Sequence, residues 1–248
     1  MKKRLITAGC VLFWLVVWQL GAMALDREIF LVTPINAAKR LIELIPHADF
    51  WKSIGFSAAR ILLGFLMGLV TGTLLAAAAG KSQIVKRLLS PLMTALKSIP
   101  VASFTILALI WISSRNLSVL VSFLICMPIY YSNMLEGIES LDPKLTEMAN
   151  VFRIPAAKRF AGVYLSQLLP YFRSASALAV GLCWKSGAAA EVIGIPSGSI
   201  GEKLYMAKIY LETADLFAWT FVIIVVSWVC EKLFLAAVGA VVKRIERM

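Results

Sequence analysis

The residues able to do chemistry are few and scattered. His47 is the only histidine, and the four cysteines, Cys10, Cys126, Cys183 and Cys230, show neither a metal-ligand nor a redox spacing. No Asp pair or His-x-Glu cluster stands beside a nucleophile, so neither a metal centre nor a hydrolytic site is expected. The run Gly198-Ser199-Ile200-Gly201-Glu202-Lys203-Leu204 has a superficial likeness to a phosphate loop, but it lacks the Gly-Lys-Ser/Thr core and a preceding strand. What remains is charge placed in apolar surroundings. The segment GLCWKSGAAAEVIG holds Trp184, Lys185 and Glu191, with Lys185 roughly 21 Å along a helix from Tyr171. Its neighbours at helical spacing are Gly181, Leu182, Ala188 and Ala189, none of them acidic. Lys185 therefore takes its partner from another helix, from water or from a passing solute. It is either half of a structural ion pair or part of a pathway with a preference for anions, with Glu191 the second charge of that region.

The elements around these residues are set by composition. With 60% hydrophobic residues in 248 and a mean hydropathy of +0.83, the chain reads as an all-α integral membrane protein. Its length allows about six spans of roughly 20 residues and leaves no room for a soluble catalytic domain. We read it as one transmembrane domain over 1–248, with an energy source on another chain and membrane lipid around it. The net charge of +11 is explained by position and not by a nucleic-acid partner. Lys2, Lys3, Arg4, Lys86, Arg87, Lys144, Arg153, Lys158, Arg159 and a basic tail through Arg247 fall on one side of the predicted spans. Arg27, Lys39, Arg40, Lys52, Arg115, Lys203 and Lys208, mixed with acids, fall on the other. That asymmetry places both termini in the cytoplasm.

Taken in order, Leu5 to about Leu25 is a first span in preference to a cleaved signal, because it is long and carries Trp14 and Trp18. Ile35, Ala38, Leu41, Ile42 and Ile45 recur at helical spacing and predict an amphipathic helix on the outer surface. His47 is expected to be solvated. The second span, about Ile54 to Gly80, places Gly64, Gly68, Gly72, Ala76 and Gly80 on one face, a groove for close helix packing. A short cytoplasmic loop is expected over 81–91. The third span, roughly Leu92 to Ile112, is kinked or broken at Lys97-Ser98-Ile99-Pro100, because proline removes a backbone donor. Such a break needs protein or a water cavity around its freed carbonyls, which makes Ser98 and Pro100 candidates for a translocation path. Lys97 is expected to snorkel. Further spans are expected from Leu117 to Leu135, from about Tyr171 to Ile193 and from Ala214 to Val238, with the cysteines buried in separate spans.

Between the fourth and fifth spans, over about 136–170, lies the longest polar-rich insert, including LTEMANVFRIPAAKRFAGVYLSQLLP. It predicts a helix-turn-helix foot on the cytoplasmic side. The insert resembles the loop called EAA in permease subunits of ATP-binding-cassette importers, whose pattern is Glu-Ala-Ala, three residues, Gly, nine residues, Ile-x-Leu-Pro. Glu147, Ala149, Val163 and Leu165 fall at that spacing, whereas Met148, Arg153 and Ser166 replace an alanine, the glycine and the proline. The order of parts over most of the chain, down to Ala190-Glu191-x-x-Gly194 at the end of the fifth span, is similar to the nitrate, sulfonate, taurine and bicarbonate branch of these permeases.

The resemblance implies a type I importer (MetI-like) fold. It further implies two permease copies forming the pore, a homodimer by default, two cytoplasmic ATPases clamping the feet, and an external solute-binding protein. ATP is then used by the partner subunit and this chain needs no cofactor. Glu147, Met148, Ala149, Arg153 and Ile154 form the ATPase-coupling loop by that likeness, and Arg153 is a charge a particular ATPase could match. The branch handles small anions and, in some members, vitamin precursors. A second class, the ion-coupled secondary transporter, would show inverted repeats and several intramembrane acids. Neither is found.

Overall fold

A computed structural model describes residues 2–25 and 30–245, all helical or in connecting turns; Arg27 and Arg247 of the charge asymmetry lie outside them. Helix α1 (Lys2–Leu25) covers the first predicted span. The expected surface helix follows as α2 (Pro34–Leu44), started by the Thr33 hydroxyl accepting from Asn36 N and by proline at its first position. It is clamped down at both edges. Trp18 of α1 donates its indole N–H to Val32 O at 3.0 Å, and the Arg40 guanidinium forks onto Asp215 while also meeting Glu43 at 3.1 Å. The hydrogen bond to Asp215, followed by that to Glu43, holds Arg40 further above its already high ordinary pKa. His47, exposed, precedes the next helix.

That helix, α3 (Ala48–Lys81), packs along its glycine face against α6 (Ser114–Glu139). A Cβ at Gly68 would stand 2.5 Å from Cys126 Cβ and 2.9 Å from Phe123 O; at Gly72 it would stand 2.5 Å from Met127 O. At Gly64 it would collide with Val119 O. The two backbones therefore touch with no side chain between them, which only glycine permits. Around this crossing Ile61, Phe65, Tyr130, Cys183 and Trp184 fill a core shared with α9 (Leu165–Gly194). Phe234 of α11 (Thr213–Ile245) closes it edge-on against Phe65 at 4.9 Å.

Three expectations are corrected. The loop over 81–91 is absent: only Ser82 leaves helical geometry, its hydroxyl caps the next turn, and α4 (Gln83–Ser98) begins at once. The third span, by contrast, breaks where expected. Pro100 drives Ile99 to ψ 126, and α5 (Val101–Ala108) departs from α4 at 99°. The fifth span starts earlier than Tyr171, because α8 (Ala156–Arg159) runs through a π-helical turn (Phe160–Tyr164) into α9. Pro170 sits inside α9 and not at its start. The thiols differ too: Cys126 and Cys183 are buried, but Cys10 is exposed and Cys230 only half-buried.

Among the described residues four helices are long and apolar enough to cross a membrane, and the bent α4–α5 pair raises that to five. With α1 in the place of the first predicted span, the chain is a multi-pass membrane protein. The glycine face gives a direct expectation. Gly68→Leu must force α3 from α6, an overpacking cost of about 2 kcal/mol or more. It should lower the thermal midpoint and the monodisperse fraction in mild detergent, with Gly68→Ala intermediate; an unchanged Gly68→Leu profile would remove the close crossing.

Candidate functional site

The foot is built from local rules. Asp142 caps α7 (Pro143–Val151) by accepting from Lys144 N at 2.9 Å, and Pro143 fills the first helical position. The end of α7 is a Schellman turn: Arg153 N donates to Asn150 O and Ile154 N to Ala149 O, each at 3.0 Å. Such a turn puts its C′ residue in the left-handed region, and Arg153 stands there at φ 49. The glycine in the importer loop pattern thus corresponds to a backbone demand, which this chain meets with an arginine at a cost of about 1 kcal/mol.

Ala149 is fully buried in α7, which packs on the π turn, while Glu147 is exposed. Leu145, Met148 and Phe152 recur at i, i+3 and i+7 on the outer side with Val151 beside them, and Val151 and Phe152 are 77% and 73% exposed. Ile154 is half-buried and Arg153 points out. Two side-chain bonds brace the foot on the helix behind it. Gln167 Oε1 of α9 accepts from Asp142 N at 2.9 Å, and Arg159 donates to Asn150 Oδ1.

Inside the bundle the candidates separate. Trp184 is buried, whereas Lys185 is exposed and has no hydrogen bond or ion pair among the described residues. Ser98 returns its hydroxyl to Thr94 O at 2.9 Å, and Pro100 stands exposed at the α4–α5 break. Lys97, expected to snorkel, donates to Ser132 Oγ at 2.6 Å. No hydrogen bond links Lys185 to the break among the described residues.

Glu191 is fully buried and faces away from Lys185's open stripe. It accepts from Ser57 Oγ at 2.6 Å and from Gly201 N at 3.4 Å, while Ser57 Oγ accepts from Ile200 N at 2.9 Å. The carboxyl and the serine together satisfy the first amides of α10 (Ile200–Ile209), whose positive end suits an acidic neighbour. A Cβ at Gly201 would lie 2.5 Å from Val192 N, so α10 is pressed directly on the end of α9. Ser57 was not singled out from the sequence. Its only signal there is a hydroxyl one turn before Arg60 in an apolar helix, and nothing local points to a partner so far along the chain.

These features define a multi-pass membrane protein with an exposed, braced helical foot. The chain matches the family described as binding-protein-dependent transport system inner membrane component over residues 44–247, and it belongs to that family. It is similar to the putative aliphatic sulfonates transport permease protein SsuC of Bacillus subtilis (strain 168), 28% identical over 229 residues covering 92% of this chain and 81% of the relative. It is likewise similar to the bicarbonate transport system permease protein CmpB of Synechococcus elongatus, 25% identical over 84% of this chain and 78% of the relative. The taurine transport system permease protein TauC of Escherichia coli (strain K12) is 24% identical over 86% and 80%. The chain is thus a permease component of an ATP-binding-cassette transport system, in the branch expected from its sequence.

The strained turn yields an expectation. Arg153→Gly should stabilise the foot by about 1 kcal/mol, read as slower limited proteolysis between α7 and α8. Arg153→Ile, β-branched in the same region, should accelerate it. Equal rates for all three chains would remove the left-handed turn.

Proposed function

We propose that this chain is the pore-forming subunit of an ATP-driven importer of a small anionic or zwitterionic solute. Two identical copies form the passage, two cytoplasmic ATPase subunits take the feet, and an external solute-binding protein delivers the substrate. The observation that carries the reading is the apolar stripe of α7, Leu145, Met148, Val151 and Phe152, exposed on a segment otherwise rich in charge. An exposed stripe of this kind on a braced helix suits a groove on another protein.

Lys86 pairs with Glu139 at the end of α6 that leads into the foot, so the basic residues 86, 87, 144, 153, 158 and 159 gather at one end of the bundle. Positive charge at that end supports a cytoplasmic foot and cytoplasmic termini. ATP hydrolysis belongs to the partner subunit, and this chain's part is mechanical. When the ATPases close, the foot moves, and its bonds through Gln167 and Arg159 deliver that motion to α9. The solute class follows the similar permeases, which are named for aliphatic sulfonates, bicarbonate and taurine.

Phe152→Glu and Glu147→Lys each alter the exposed face without touching the buried Ala149. Tagged chain purified gently from native membrane should carry at least about tenfold less phosphate-loop ATPase in Phe152→Glu, the loss of one interface anchor, with unchanged membrane abundance. Wild-type recovery of the ATPase by both variants would sink docking through this foot.

A further inference from the structure

We propose that Lys185 is the charge filter of the solute passage, a position where the head group of a small oxyanion is held on its way through; this rests on the importer reading above. Helix α9 packs on α3, α5, α6, α10 and α11, yet one stripe of it stays open. Ser174, Leu178, Lys185 and Ala189 are exposed and Gly181 half-exposed, all on one arc of the helix with Lys185 at its centre. At Gly181 an added Cβ would meet nothing within 4 Å, so there is free space one turn from the ammonium.

Lys185 lies roughly 14 Å along the helix from Gly194 and roughly 21 Å from Tyr171. From that depth its stem does not reach either interface, and a lysine turned to lipid there is strongly disfavoured. The stripe therefore faces water or protein. No acid of this chain neutralises it, because Glu191 is turned into the core and held by Ser57 and Gly201. The other acids on the long spanning helices lie away from its depth. Glu136 and Glu139 sit at the inner end of α6, Asp215 is taken by Arg40 at the outer end, and Glu231 lies well toward the inner part of α11.

If the stripes of two copies face each other, they bring two ammonium groups to one passage flanked by small side chains. Two like charges repel, so the arrangement is a structural ion pair for neither copy. It is a field that concentrates anions and excludes cations. Ammonium is a compact point charge with rotatable donors, unlike the bidentate fork of arginine. That suits a site which must release its ligand as well as hold it.

The test needs no knowledge of the substrate. In the assembled importer in native membrane vesicles, with the four native cysteines replaced by serine or alanine, Ala189→Cys and Gly181→Cys report from either side of Lys185. Each is reacted with an anionic sulfonate-bearing and a cationic ammonium-bearing methanethiosulfonate, with and without ATP, and rates are normalised to a free thiol. The anionic reagent should react at least about tenfold faster than the cationic one, the scale of field focusing in a charged cleft. Adding Lys185→Met should bring the ratio to about one, and Lys185→Arg should preserve it. Reaction of neither cysteine in any state would show a sealed or lipid-facing stripe, and a ratio indifferent to Lys185→Met would show that another charge sets the field. Either result overturns the filter while leaving ATPase co-purification, and with it the importer reading, intact.

Discussion

The contact between α3 and α6 is the interaction on which the bundle rests. In a membrane there is little hydrophobic drive between helices, so association depends on how closely backbones approach and how completely they fill space. Gly64, Gly68 and Gly72 let α3 lie against the Cβ atoms and carbonyls of α6 itself. With that pair fixed, the remaining faces of α6 and α3 form the seat for α9, and Trp184 and Cys183 are buried there. The orientation of α9 follows, and so does the direction in which its open stripe looks. A residue such as Lys185 is thereby aimed by glycines on a different helix.

Polar groups in the same bundle are handled in two ways. Those that build the fold are buried and spent: Glu191 and Ser57 on the amides of α10, Tyr130 with Ser176 at 2.8 Å. Those that face outward, Lys185 within the bundle and Glu147 and Arg153 on the foot, are left without ion pairs among the described residues. A buried carboxyl left unpaired would be costly, so the division is what the low-dielectric interior imposes.

Much of this was legible in the sequence where a periodicity or a single stereochemical rule decided the outcome. The i+4 glycines, the amphipathic α2 and the break at Pro100 are of that kind. So is the foot, whose spacing matched a known loop pattern and whose missing glycine turned out to lie at a left-handed turn. The misses have a common cause. The 81–91 segment is charged enough to read as a loop, but one Ser cap suffices to start α4, and the polar insert was read to about residue 170, although its last residues already belong to α9. The link between Ser57 and Glu191 was beyond reach because it is set by how three helices meet, and neither residue's neighbours encode that meeting.

The run from Gly162 to Gly194 is a single helical span of 33 residues, roughly 50 Å long. One end is tied to the foot, and the other is tied through Glu191 to α10, between the last two spans. Such a rod is a lever with a handle at each membrane face. A tilt of about 5° shifts one end by about 4 Å relative to the other. A force on α10 and a force on the foot therefore act on opposite ends of one continuous helix.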